Sequence, residues 1–513
     1  MTDGAALDGR GVRLERVEAQ RIVQRIWDRD VSVWGGDAAT PELSDRLGWL
    51  ALPGTMAGRA EEFTTFAEWV RARFDRVLLC GMGGSSLAPE VLWRTFGPRA
   101  GYPSLHLLDS THPDAVAAAA PDAALARTLI LIASKSGTTI ETASFDRHFW
   151  ERTGGNGAQF VAITDPGTTL ARSAADRGFA RVFESPPDVG GRFSALSPFG
   201  LVPAALIGVD VARFVERAAG EADALRRPAR DNRGAMLGAL MGDDTTLTLL
   251  LGDALGALGL WVEQLVAEST GKGGRGVLPV YGEPLAAFTG REAGRVWVAR
   301  TLGPVPAELA DALGRLRGGG ATLDQHPLDD PYDLAAEFLR FEFATAVAGA
   351  LLGVNPFDQP NVAESKAHTS RVLASGAPPS AADDPAALER WLTGVRPGDY
   401  VAVMAYLPAG TEADTRLRRL QSRLGARLGV PVTVGYGPRF LHSTGQLHKG
   451  GPPRGHFVQI VDHPLRDLPI PGVAYGFARL IAAQAEGDLE AIRSRGRPAV
   501  RVDDWGQLER AVG

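Results

Sequence analysis

From residue 76 onward the chain alternates short, nearly uninterrupted apolar runs with longer stretches of helical periodicity. The runs Val77–Cys80, Leu105–Leu108, Leu129–Ala133, Phe160–Ile163 and Val182–Phe183 read as strands buried on both faces, with covering helices between them. That alternation predicts a parallel sheet flanked by helices. A second series starts at Thr246–Leu251 and runs through Val296–Ala299 and Ala321–Leu323 into a long helix around Leu334–Leu352, so the two series read as a remote duplication of one α/β unit. Residues 12–75 carry helical periodicity with Trp27, Trp34, Trp49 and Trp69 scattered among charges, which predicts a helical cap. Beyond the second series, Ala374–Ala387 is small, Pro-rich and acidic, and reads as a linker. Strands at Tyr400–Tyr406, Val430–Val434, His456–Val461 and Ala499–Val502 follow, with helices near Thr415–Leu428 and Tyr475–Arg493. The expected divisions are a cap over 1–70, α/β subdomains over 71–235 and 236–373, and a C-terminal α/β segment over 388–513.

Composition narrows the function classes. With 513 residues, 45% hydrophobic and 22% charged, the chain is long enough for several folded domains and is not of low complexity. The net charge of −6, without a block of five like charges, argues against a nucleic-acid partner. Cys80, the one cysteine, excludes an intrachain disulfide and fits a reducing cytoplasm. No apolar run is long enough for a membrane span, and the first residues lack a basic and apolar leader, so neither membrane insertion nor export is expected. Of 54 Lys and Arg residues only Lys135, Lys272, Lys366 and Lys449 are lysines, and all four sit in loops rich in Gly, Ser or Thr. A compositional pressure toward arginine leaves lysine where a compact, adjustable ammonium is needed.

Two of the predicted βα junctions have anion-binding chemistry. Strand Val77–Cys80 runs into Gly81-Met-Gly-Gly-Ser-Ser86, where Gly83, Gly84 and Ser85 can present backbone N–H groups and a hydroxyl ahead of a helix. The spacing is G-x-G-G, unlike a dinucleotide fingerprint or a P-loop. Strand Leu129–Ala133 runs into Ser134-Lys-Ser-Gly-Thr-Thr139, with Ser134, Ser136 and Thr139 as the best phosphate donors at the carboxyl edge of a sheet. N-capping would explain either loop alone; two adjacent ones point to an anion site.

Taken together, G-M-G-G-S-S at 81, S-K-S-G-T-T-I-E-T at 134, V-G-G-R-F-S at 189, E-S-T-G-K at 268, N-P-F-D-Q-P at 355 and H-S-T-G-Q at 442 resemble the motifs of the glucose-6-phosphate isomerase family. The resemblance implies two doubly wound, parallel-sheet subdomains of the sugar isomerase (SIS) type and a homodimer. It also implies interconversion of glucose 6-phosphate and fructose 6-phosphate without metal or organic cofactor. The motif order, with N-P-F-D-Q-P and Lys366 ahead of H-S-T-G-Q, resembles the isomerase half of fused transaldolase/glucose-6-phosphate isomerase proteins. The residues before the first cradle are too few for a transaldolase barrel, so no transaldolase activity is expected.

The resemblance also implies roles. Moving a carbonyl between C1 and C2 needs a base, a group that steadies the enediolate, and return of the proton. Glu268 matches the family's catalytic glutamate; on pattern alone it is an exposed glutamate ending an amphipathic helix, Ala254–Glu268, whose negative end raises its pKa while Lys272 opposes that. Arg192 matches the arginine that steadies the enediolate. Ser85, Ser134, Lys135, Ser136 and Thr139 are implied to take the phosphate, and Glu141 to support the site from behind. His442 can pass a proton to the ring oxygen and Lys366 can hold a sugar hydroxyl, with His448, Lys449 and His368 as weaker candidates. No histidine spacing resembles a zinc site. Alternatives left open are an SIS-type isomerase for mannose or amino-sugar phosphates, a non-catalytic sugar-phosphate sensor, and, most distantly, a Schiff-base lyase.

Overall fold

The apolar runs assemble into three separate parallel sheets. In the first, β1 (Arg76–Gly81), β2 (Ser104–Leu108), β3 (Thr128–Ala133), β4 (Phe160–Thr164) and β5 (Arg181–Glu184) take the order β2-β1-β3-β4-β5. Every residue of β3 is buried, as a strand covered by helices on both faces must be. β1 and β3 pair in register, Gly81 opposite Ala133, and the winding reverses between them. The two loops singled out by the sequence therefore leave the sheet side by side at its carboxyl edge, where open α/β sheets bind ligands.

The second sheet orders β6 (Thr246–Leu251), β7 (Leu278–Tyr281), β8 (Arg295–Leu302) and β9 (Leu323–Leu328) as β7-β6-β8-β9. The third orders β10 (Tyr400–Tyr406), β11 (Val432–Tyr436), β12 (Gly455–Val461) and β13 (Ala499–Val502) as β11-β10-β12-β13. Both repeat the winding of the first sheet without its last strand, so the C-terminal segment is a third α/β unit of the same kind. β7 carries no apolar-run signature, being four residues long with Pro279 inside it; proline removes a ladder donor and is tolerated here because β7 is an edge strand.

The computed structural model describes residues 9–243, 245–290, 292, 294–376 and 378–513. Residues 9–71 form short helices and turns. Two of their tryptophans tie them to both following units: Trp34 Nε1 donates to Ala346 O of the second at 2.9 Å, and Trp27 Nε1 to Leu225 O of the first at 2.9 Å, satisfying indoles that burial would otherwise leave without a partner. The Leu334–Leu352 helix is buried along almost its whole length against the Val211–Ala224, Arg233–Leu240 and Leu258–Thr270 helices. One face of the first sheet joins that core; the other is packed by Val116, Phe145 and Phe149 of its own helices, with Ile470, Phe477 and Leu480 of the third unit joining the same cluster. The third sheet in turn packs Ala267, Leu278 and Val280 of the second. The three units thus share interfaces, each large buried side chain contributing about 1.5–3 kcal/mol.

Two expectations change. The helix carrying Glu268 runs from Leu258 to Thr270 and is buried on nearly every side rather than amphipathic, because the first unit, the Leu334–Leu352 helix and the third unit all pack against it. The segment read as a linker is a docked strap: the Val362–Ser375 helix reaches Ser375 and packs on the Phe477–Arg493 helix, and the coil after it is pinned to the third unit. Ser380 Oγ donates to Glu486 Oε1 at 2.6 Å, and Asp383 accepts from Arg501 N at 2.7 Å. Ala377 lies outside the described residues. Among the described residues no helix is long and apolar enough to cross a membrane.

Candidate functional site

The loop after β3 keeps its hydroxyls together. Ser134 Oγ donates to Thr139 Oγ1 at 3.2 Å and Thr138 Oγ1 to Ser136 Oγ at 3.0 Å, while Gly137 turns the chain at φ +67°. The Ile140–Arg152 helix starts here without a side-chain cap, so its first N–H groups face the loop and favour an anion. Lys135 points elsewhere. Its Nζ pairs with Asp165 and donates to Pro187 O at 3.0 Å, which leaves its backbone and its field, not its ammonium, for a ligand in the loop.

In the first turn of that helix lies Glu141, buried, and across from it His442, whose Nε2 is 3.0 Å from Glu141 Oε1. An ionised carboxylate only accepts, so Nε2 carries the proton of this bond. Burial works against the Glu141 charge, but His442 and Lys366 outweigh it and hold the carboxyl below its ordinary range. Ser136, Thr138 and Thr139 of this loop line a cavity of about 220 Å3 together with Ser365, Lys366 and Thr369 of the Val362–Ser375 helix, and Glu141, His442 and Gln484 line it as well. Hydroxyls from two elements, a lysine and a carboxylate–histidine pair suit a small phosphorylated polyol. A wider groove of about 680 Å3 beside the Val211–Ala224 helix holds none of the motif residues, and its three arginines are taken up: Arg340 by Glu221 at 2.7 Å, Arg217 by Asp333 at 3.7 Å, and Arg213 by Asp330.

Glu268, Arg192 and Lys272 form a buried cluster adjoining the cavity rather than its wall. Arg192 Nη1 lies 3.8 Å from Glu268 Oε2; its Nε donates to Ser269 Oγ at 2.7 Å and its Nη2 to Pro356 O at 2.7 Å and Asp358 O at 2.9 Å. Lys272 Nζ binds the Asn355 carbonyl and Asp358 Oδ1, at 2.5 Å for the latter. Burial pushes the Glu268 carboxyl up, and Arg192, His442 and Lys272 offset this only in part. Burial, reinforced by Arg192, lowers the Lys272 ammonium to about 7. Burial rather than the helix end is thus the chief cause of the Glu268 shift. Gln264 joins the two layers: its Nε2 donates to His442 O at 2.7 Å and to Glu268 Oε2 at 3.3 Å.

The glycines of the first loop allow this convergence. A Cβ on Gly84 would sit 1.9 Å from Gly191 O, and one on Gly83, at φ +54°, 2.6 Å from Gln264 Nε2 and 2.9 Å from His442 O. They let the Arg192 loop, the Glu268 helix and the His442 turn close on one another. Ser85 stands beside them, buried. The remaining motifs interlock in the same place, Gln446 Nε2 donating to Gly271 O at 2.9 Å and its Oε1 accepting from Asn361 N at 2.9 Å. The weaker candidates are engaged elsewhere: Lys449 pairs with Asp488 at 2.7 Å, His368 with Glu490 at 2.9 Å, and His448 is buried among Tyr400, Phe440 and Phe457, where burial holds it neutral.

Gln264, Gln484 and Ser365 are contributors that sequence reasoning missed. Gln264 had one available signal, its place four residues before Glu268 on the same helix face. Ser365 precedes Lys366 directly. Gln484 had none.

Fold and site together define an α/β protein of the sugar isomerase type, with a hydroxyl-rich loop and an uncapped helix N-terminus at the carboxyl edge of its first sheet. The sequence pattern of the family described as Phosphoglucose isomerase matches residues 61–275. The glucose-6-phosphate isomerase of Rubrobacter xylanophilus is 32% identical over 388 residues, covering 63% of this chain and 88% of that protein. That of Leptospira interrogans is 27% identical, covering 64% and 86%. Among solved structures, a glucose-6-phosphate isomerase from Chlamydia trachomatis shares the fold with a TM-score of 0.57 at 18% identity, covering 71% of this chain and 86% of that one. The chain belongs to the phosphoglucose isomerase family.

Proposed function

We propose that the chain is a glucose-6-phosphate isomerase, interconverting glucose 6-phosphate and fructose 6-phosphate through a cis-enediolate. Family membership and one observation support this: a buried carboxylate with a raised pKa, 3.8 Å from a buried arginine, adjoins a cavity bearing hydroxyls, a lysine and a histidine held by a carboxylate. In this reading Ser85, Ser134, Ser136 and Thr139 and the Ile140–Arg152 helix N-terminus take the phosphate. His442, backed by Glu141, exchanges a proton with the ring oxygen as the sugar opens, and Lys366 holds a hydroxyl. Glu268 then removes the C2 proton and returns it to C1, while Arg192 neutralises the enediolate oxygen. No step needs a metal or organic cofactor. A cytoplasmic homodimer completes the reading, resting on the family resemblance and the single reduced cysteine.

The test compares wild type with Glu268→Gln in the conversion of fructose 6-phosphate, with EDTA present. Loss of a general base costs about 10²–10⁴-fold in kcat, and that loss is expected here. The variant should also melt higher at neutral pH. A carboxyl whose pKa is raised by folding stabilises the protein below the ordinary carboxyl range and loses that contribution as pH rises, and glutamine removes the cost. Undiminished C2-proton exchange in the variant would rule out Glu268 as the base. Wild type that binds fructose 6-phosphate without turnover would make the cavity a sensor.

A further inference from the structure

We propose that Gln484, on the Phe477–Arg493 helix of the third unit, is a positioning residue: clamped by Thr111, its amide fixes the Glu141 carboxylate and, through it, the tautomer and place of His442. The inference deepens the isomerase reading above and rests on it.

The geometry is a continuous chain of hydrogen bonds. Thr111 Oγ1 donates to Gln484 Oε1 at 2.6 Å, Gln484 Nε2 donates to Glu141 Oε1 at 2.7 Å, and His442 Nε2 donates to the same oxygen at 3.0 Å. Thr111, Glu141 and Gln484 are all buried. The carboxylate settles which end of the amide faces it, because an ionised carboxylate only accepts, and the threonine hydroxyl then donates to the carbonyl end. Turned the other way, the amide would set an acceptor against a carboxylate oxygen, an unpaired arrangement that is costly at low dielectric. The amide therefore favours the ionised form of Glu141. An ionised Glu141 keeps the His442 proton on Nε2 and leaves Nδ1 as the nitrogen free to take and return a proton. Glu141 is faced also by the Lys366 charge, and Tyr406 lies behind the glutamine, its hydroxyl donating to Gln484 O at 3.4 Å. Histidine orientation set by a carboxylate and its outer partners is a recurring device for holding one tautomer.

The experiment measures kcat and KM for fructose 6-phosphate against pH in the full-length wild type, Gln484→Met, Gln484→Glu and Thr111→Val, each checked by thermal melting. Methionine keeps the volume and removes the donor. Glu141 should then titrate higher, so the acid limb of kcat/KM moves to higher pH, and kcat should fall about tenfold to hundredfold, up to the lower bound for losing a general acid or base. KM should stay within about twofold, because Gln484 contacts the carboxylate and not the phosphate loop. Gln484→Glu can donate to Glu141 only while protonated. Its activity should survive at the acid end of the range and fall as pH rises through ionisation of the new carboxyl, a limb the wild type lacks. Thr111→Val should shift the acid limb the same way by less, and provides the test if Gln484→Met does not fold. A merely structural glutamine would lower the melting temperature with both pH limbs in place, and that result overturns the proposal while leaving the isomerase reading intact. Absence of turnover in the wild type overturns both.

Discussion

Ser365 lines the same cavity as Ser136 and Thr139, and its Oγ is buried with no hydrogen-bond partner among the described residues. A buried hydroxyl without a partner lowers stability, by about 1–3 kcal/mol when fully desolvated, and such groups persist where something is meant to meet them. Ser365→Ala should therefore leave the melting temperature unchanged or raise it, since the orphan is removed. At the same time KM for fructose 6-phosphate should rise several-fold with kcat held, the mark of a contact made equally in ground and transition states. Inorganic phosphate inhibition should weaken in parallel if the hydroxyl meets the phosphate end. A KM equal to wild type would mean that this hydroxyl does not touch the substrate.

At the scale of elements, packing is tight where the Gly81–Ser86 loop meets the Gly191–Phe193 turn. Gly84→Ala forces a methyl to within 1.9 Å of a carbonyl oxygen, so the turn that carries Arg192 must move. Overpacking of this kind costs about 1–3 kcal/mol, and a displaced guanidinium should lower kcat well beyond what the stability loss explains. Activity and melting temperature measured together check it: a fall in both supports the packing role, and full activity would show the turn to be free to adjust. The same elements show what a sequence can convey. Tyr400–Tyr406, Ala499–Val502 and Leu334–Leu352 stand where the apolar pattern places them, because continuous burial leaves a continuous apolar signature. The helix ending near Glu268 was legible as a helix but not in its surroundings, since which neighbours bury a helix is settled by tertiary packing. Glu268, Arg192, His442, Lys366 and the Ser134–Thr139 hydroxyls could be singled out as candidates because they stand in motifs. Gln484 was not: it sits in an ordinary helix 343 residues from the carboxylate it binds, and only folding gives its amide a purpose.

For the whole molecule, the question is what holds the third unit, with His442 and Gln484, against the first. Arg439, one helical turn before His442, reaches into the first unit, its Nε 2.7 Å from Asp109 Oδ2 and its Nη2 3.1 Å from Glu90 Oε2. Glu263 of the second unit lies in the same buried pocket; burial pushes its carboxyl up to about 8, with Arg439 holding it from going higher. Three units thus meet at one cation. Arg439→Met would leave Asp109 buried without its counter-charge and Glu90 with Arg94 alone, a loss of about 3–5 kcal/mol where the carboxylates stay ionised. The loss comes from an uncompensated buried charge, so the deficit is smaller in acid, where a carboxyl can take up a proton, and larger as pH rises. Urea unfolding at pH 5 and pH 8 should show a larger deficit at pH 8. Glu263→Gln should do the opposite, gaining on wild type as pH climbs from the ordinary carboxyl range to about 8, because it removes a group that burial keeps protonated below that point. If the arginine joins the units as drawn, Arg439→Met should also lose isomerase activity at pH values where it is still folded, since the turn bearing His442 is no longer anchored. Retained activity with a pH-independent deficit would place the bond between the units in the apolar contacts of Phe477 and Leu480 alone.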